Sequence, residues 1–255
     1  MDDDQLLGLL RSRMPVELVE YRLPPGGEAG LVVVDEVNGF CTVGAGNLAP
    51  AAPNAQVSRM VEETARLARR FVDRRWPVMA FLDTHEPGRP EPPYPPHCER
   101  GTGEEELVPE LAWLAEDSDV TLLRKDCING FVGGIEAVHD GRHGTSRNRV
   151  CDWVNAHRLR TVVTVGICTD ICVMDFVLTL LSARNHALMP TLKDIVVLEP
   201  ACATYDLPRE AAERLGLPAA AAHPQVHAHH MGLYFMASRG AVLASALAGV
   251  DDDEA

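Results

Sequence analysis

Positive charge is in short supply here: 23 lysines and arginines stand against 37 acids, for a net charge of −14. With no basic stripe, nucleic acid and anionic membrane surfaces are not expected partners. Paired Cys-x-x-Cys spacing is also missing. Seven cysteines, an odd number, then point to neither a disulfide framework nor a four-cysteine zinc site. Free thiols of this kind suit a reducing, cytoplasmic setting. A long uninterrupted apolar run is lacking too. The nearest candidate, residues 161 to 183, contains Asp170 and Asp175 and reads as a buried strand followed by a helix. The opening Met1-Asp2-Asp3-Asp4 has none of the basic character of a secretory leader. Together with Asp251, Asp252, Asp253 and Glu254 it is expected to form short solvated acidic tails. Repeats and linkers are absent as well, so residues 1–255 are expected to form a single domain.

What is present is a regular alternation of strand and helix. Strands are expected at 31–34, 78–82, 120–124, 160–166 and 192–198, and helices at 55–75, 147–158, 170–186 and 236–248. The strands are continuous apolar runs, such as Leu31-Val32-Val33-Val34, rather than alternating ones. That pattern belongs to parallel strands covered on both faces. The expectation is an α/β fold of three layers, αβα, with a mainly parallel central sheet. The connection from 84 to 106 is the exception, because six prolines there forbid helix or central strand. Loops of this length are usually functional or disordered, and proline stiffness favours a wall beside a site.

Four expected strand ends each deliver a reactive group: Asp35, then Asp83 with His85, then Lys125, then Cys172. In an open parallel sheet, ligands bind beyond the carboxyl ends of the strands. Cys172 falls in the first turn of a helix that Thr169 or Asp170 is placed to cap. A helix N-terminus lowers a thiol pKa and offers unpaired amides to an oxyanion. Asp83, His85 and His97 supply one oxygen and two imidazole nitrogens, a set suited to Zn(II), Fe(II) or Mn(II). Taken singly, each group has a plainer explanation: a strand terminator, a surface cation, a loop histidine, a packed thiol. Cys41, Cys98, Cys127, Cys151 and Cys202 are expected to be buried and inert. The His227-Ala228-His229-His230 cluster is assigned to surface, packing or helix-end roles and could take up adventitious metal.

Three motifs together resemble the isochorismatase-like cysteine hydrolases. An acid follows the first strand in Val33-Val34-Asp35, a lysine follows a later strand in Arg124-Lys125-Asp126, and the thiol closes Gly166-Ile167-Cys168-Thr169-Asp170-Ile171-Cys172. The resemblance covers roughly residues 30 to 205. It implies a catalytic trio of Asp35, Lys125 and Cys172. It also implies a cis peptide between Ile167 and Cys168, with an oxyanion hole from the backbone amides of Cys168 and Cys172. The Asp83-Thr84-His85 pair with Pro95-Pro96-His97-Cys98 is similar to the nicotinamidase branch. The strings Val34 to Cys41 and Pro93 to Cys98 resemble its plant-type members. This branch implies hydrolysis of nicotinamide to nicotinate and ammonia through a cysteine thioester, in NAD salvage. One divalent metal, zinc foremost, would be held by Asp83, His85 and His97, and Phe40 and Tyr94 are candidate substrate walls. The partner expected is thus a small molecule, and a homo-oligomer stays open. The alternatives are a related hydrolase of another small amide or ureido compound, or a catalytically silent ligand-binding homologue.

Overall fold

A computed structural model describes residues 3–89, 91–139, 144–214 and 216–249. The tail positions Asp2 and Asp251 to Glu254 lie outside the described residues. In chain order the elements are α1 (Asp3–Arg13), β1 (Val19–Arg22), β2 (Ala29–Val34), α2 (Asn38–Cys41), α3 (Ala55–Asp73) and β3 (Val78–Asp83). Next come β4 (Val120–Lys125), α4 (Gly130–Gly133), β5 (Ile135–His139), β6 (Gly144–Asn148), α5 (Arg149–Ala156) and β7 (Thr161–Ile167). The chain continues through α6 (Cys172–Asn185), β8 (Asp194–Ala203), α7 (Arg209–Arg214), α8 (Gln225–Ala237) and β9 (Val242–Ala248).

Seven strands form one sheet in the order β1-β9-β8-β7-β2-β3-β4, and every neighbouring pair is parallel. The fold is the expected α/β class. Its apolar strands are buried on both faces because each face has its own core. Leu31, Val33, Ala80 and Leu82 pack with Met60, Leu67 and Phe71 of α3. Val32, Val34, Met79 and Phe81 pack on the opposite face with Trp153 of α5, Phe176 and Leu180 of α6, and Leu233 of α8. The α3 stripe follows helical spacing, with Val57, Met60, Val61, Thr64, Leu67, Ala68 and Phe71 buried. Its start is set by the Asn54 side chain, which accepts from the amides of Gln56 at 3.0 Å and Val57 at 3.1 Å.

Three features depart from the sequence expectations. The last helix is not at 236–248: α8 ends at Ala237, Gly240 turns the chain at φ +100°, and residues 242–248 form β9. An alanine-rich run such as Val242-Leu243-Ala244 has no distinguishing period, and pairing with β8 and β1 decides its state. β1 and the antiparallel β5–β6 hairpin were not foreseen either. β1 is short, mostly exposed and sits at the sheet edge, so its residues carry little of a buried strand's apolar signature.

Gly166 determines how closely β7 approaches β2. It sits at φ +118°, and a Cβ there would collide with the carbonyl oxygen of Val34. Gly166→Ala should therefore destabilise the protein by about 2 kcal/mol or more. The urea midpoint against wild type measures this, and an unchanged midpoint would contradict the packing described.

Candidate active site

Sheet order explains which groups can meet. β7, β2, β3 and β4 are consecutive neighbours, so their carboxyl ends share one rim. From β2 the chain steps outward to β3 and β4, then returns to the other side of β2 as β7. The crevice of such a fold opens where the order reverses. Asp35 follows β2 on one side of that point, and Cys172 follows β7 on the other. Asp83 and Lys125 end β3 and β4 and are paired in register.

Lys125 occupies the centre. Its buried ammonium lies 2.8 Å from Asp35 Oδ2 and 2.9 Å from Asp83 Oδ1. Asp35 is wholly buried, at φ +53°, with its amide donating to the Phe81 carbonyl at 3.1 Å. That left-handed backbone costs a non-glycine residue roughly 1–2 kcal/mol. Cys172 contacts Asp35 and favours its ionised form, although neither this contact nor the Lys125 ion pair reaches full hydrogen-bond alignment. The structure thus brings together the three expected residues.

Burial and paired charge compete at each of these groups, and they win at different ones. Burial pushes the Asp35 carboxyl up, to about 6, against the pull of Lys125. It would raise Asp83 too, but Lys125 and the two imidazoles outweigh it and hold that carboxyl well below the usual range. Two carboxylates raise Lys125 well above its ordinary value despite desolvation. Cys172 moves opposite to the sequence expectation. Burial and the nearby Asp35 raise the thiol well above its usual value, and Lys125 offsets only part of this. The capping expectation fails as well. The residue before α6 is Ile171, with no side-chain cap, because Thr169 turns to His229 and Asp170 to His223.

Around the Ile167–Cys168 bond, which is cis, the turn directs its amides unequally. Those of Ile171 and Val173 return to the Cys168 carbonyl, and that of Thr169 goes to Ala203. The amides of Cys168 and Cys172 donate to no backbone carbonyl among the described residues. The chain therefore leaves two donors beside the sulfur.

Asp83, His85 and His97 form a buried cluster whose ligand atoms all lie within 4.8 Å of one another. Asp83 Oδ2 is 3.0 Å from His85 Nε2 and 3.2 Å from His97 Nε2. Two ligands bound at ~2.0 Å on a tetrahedral ion stand roughly 3.3 Å apart, so the spacing fits a divalent metal. Tautomers agree with this. His97 Nδ1 lies 2.7 Å from the Pro95 carbonyl oxygen, which can only accept, so a neutral ring would leave the Nε2 lone pair for an ion held beside Asp83. Glu91, not singled out in the sequence, places Oε2 3.7 Å and 3.8 Å from the same two nitrogens, while Oε1 accepts from the Ile128 amide. It lies in the proline-rich loop, where an acid among prolines was the available signal.

Asp83 and His97 of the cluster and the Cys172 thiol line one pocket of about 440 Å³, its open mouth included. Phe40 and Tyr94 line it, as expected, and so do Ile128, Ile171 and Tyr205, which the sequence did not single out. Of the other cysteines, Cys98 and Cys202 are buried, whereas Cys41, Cys127 and Cys151 are only partly so. The histidine cluster is not a surface site: His227, His229 and His230 are buried on α8, with His230 Nε2 2.9 Å from the Met14 carbonyl oxygen. Among the described residues no helix is long and apolar enough to cross a membrane.

Comparison with known proteins agrees with this geometry. A model of the isochorismatase domain matches residues 29–245. Nicotinamidase 1 of Arabidopsis thaliana is 52% identical over 237 residues, covering 92% of this chain and 93% of that protein. Among solved structures, nicotinamidase PncA from Bacillus subtilis aligns with a TM-score of 0.61 at 21% identity, over 85% of this chain and 99% of that one. N-carbamoylsarcosine amidase from Thermoplasma acidophilum aligns at 0.57 and 22% identity, over 89% and 99%. The two structural likenesses speak for the fold alone; with the domain match and the 52% identity, the chain belongs to the isochorismatase family of cysteine hydrolases.

Proposed function

We propose that this protein hydrolyses nicotinamide to nicotinate and ammonia, using Cys172 as nucleophile, and that it acts in NAD salvage in a reducing, cytoplasmic compartment. The observation that carries the reading is one pocket lined by a thiol and by Asp83 and His97 of an Asp/His/His donor set. The likeness to the Arabidopsis nicotinamidase supports the choice of substrate.

Asp83, His85 and His97 would hold one divalent ion, and their single oxygen and two nitrogens suit zinc, as they also suit iron(II) or manganese(II). Bound there, such an ion supplies a Lewis-acidic anchor for a pyridine nitrogen. Phe40 and Tyr94 flank the ring. The carboxamide then lies toward Cys172, whose neutral thiol needs a proton acceptor before it can attack. Asp35, ionised at neutral pH beside Lys125, takes that proton. Sulfur adds to the carboxamide carbon, and the free amides of Cys168 and Cys172 receive the developing oxyanion. Asp35 returns the proton to the departing ammonia, leaving a thioester, and then draws a proton from the water that cleaves it. Lys125 keeps Asp35 a base and steadies the thiolate as it forms.

Cys172→Ala should lower ammonia release from nicotinamide by roughly 10⁴-fold or more while the variant still binds metal and nicotinamide. Substantial residual turnover would rule out the thioester route. His97→Ala should weaken metal affinity by more than the ~10–100-fold typical of outer-shell changes and raise KM steeply, read by metal analysis and steady-state kinetics. Because the base must be ionised, kcat/KM should fall as pH drops through about 6, the raised Asp35 value. A profile flat from pH 7.5 to 5, with metal content held constant, would assign the base elsewhere.

A further inference from the structure

Two histidines that no step above uses grip the turn between Ile167 and Cys172 from outside. His229 of α8 sets Nδ1 2.8 Å from the Thr169 hydroxyl and Nε2 3.4 Å from Glu199 Oε1. His223, just before α8, reaches the next residue of the turn. Its Nε2 lies 2.8 Å from Asp170 Oδ2, and its Nδ1 lies 2.8 Å from the carbonyl oxygen of Tyr205. The Thr204 hydroxyl donates to the other Asp170 oxygen at 2.7 Å. The His223 ring also stacks on the Tyr205 ring, with centroids 3.9 Å apart and planes 13° from parallel. Tyr205 in turn lines the pocket beside Cys168 and Cys172.

The partners of His223 decide its state. A carbonyl oxygen and an ionised carboxylate are both acceptors, so satisfying both ring nitrogens takes two N–H groups. Only the imidazolium carries both. We propose that His223 is a positioning residue: as an imidazolium it latches the Tyr205 wall of the pocket to the turn that presents Cys168 and Cys172, and so holds the nucleophile and the oxyanion donors in register. This rests on the assignment of Cys172 as nucleophile.

The surrounding charges agree. Burial would lower His223, but the bond to Asp170 and the charges of Asp170 and Asp206 outweigh it and raise the ring. Asp170 is held below the usual carboxylate range by His223 in spite of burial. Burial pushes the Tyr205 phenol well up. Thr204 and Gln225, the remaining polar neighbours, carry no charge. Within this set His223 is therefore the group whose charge changes at a pH above the ordinary histidine value. The latch is complete below the ordinary histidine value of ~6.5 and is lost as pH rises through the raised one.

Nitrogen NMR of the histidine rings in the metal-loaded protein, with parallel kinetics, tests this. In the wild type, both His223 nitrogens should be protonated at pH 6.5, with a midpoint above ~6.5. Asp170→Asn should lower that midpoint, and the alkaline limb of kcat should move down with it. His223→Phe keeps a ring against Tyr205 but removes both bonds. It should cost roughly 10- to 100-fold in kcat with KM and metal content little changed. A neutral His223 at pH 6.5, or an alkaline limb unmoved in Asp170→Asn, would overturn the latch. Should His223→Phe fail to fold, the spectra and Asp170→Asn still decide. A wild type that releases no ammonia would instead overturn the nicotinamidase reading, with the latch judged on the two NMR midpoints.

Discussion

Everything in the candidate site is arranged around one buried ammonium. Lys125 is shared between Asp35, which faces the thiol, and Asp83, which faces the imidazoles. A charge taken out of water is costly, and a lysine held this deep needs both carboxylates to remain ionised. The same sharing separates the two acids. Asp83 is pressed low by three cationic or donating partners, whereas Asp35 keeps only part of the lysine and drifts upward under desolvation. On the proposed mechanism two chemically identical groups thus take different tasks, one a permanent anion for ligation and the other a base that titrates within reach of neutrality.

The placement of these groups follows from strand order more than from local sequence. Asp35, Asp83 and Lys125 each sit at the end of an apolar run, and that much was legible, because a continuous Val/Leu stretch broken by a charged residue marks the rim of a buried parallel strand. Cys172 was legible for a different reason: a glycine and polar turn separate its strand from its helix. The residues that escaped notice lack such markers. Glu91 is one acid in a loop without periodicity, and it gains meaning only when that loop folds to bring it within 4 Å of imidazoles on either side of it in the chain. His223 is similarly mute until Asp170 and Tyr205 meet it.

Errors in the fold had equally local causes. Residues 242–248 contain small apolar side chains that fit either helix or strand, and only the unpaired edges of β8 and β1 recruit them into the sheet. Thr169 and Asp170 are good capping residues by type, yet both are drawn away by histidines from the far end of the chain. The expected lowering of the Cys172 thiol failed because the dipole argument omitted burial. A buried sulfur beside the Asp35 charge loses more than one helix terminus restores.

The missing cap of α6 has a further consequence. Ile171 has no side-chain oxygen for the first turn, and the Cys172 amide at the helix start is left without a backbone acceptor. On the proposed mechanism the tetrahedral oxygen supplies what that residue withholds, and for the lifetime of the intermediate the reacting molecule becomes the last piece of the helix. Secondary structure is then finished by chemistry and left incomplete again on product release.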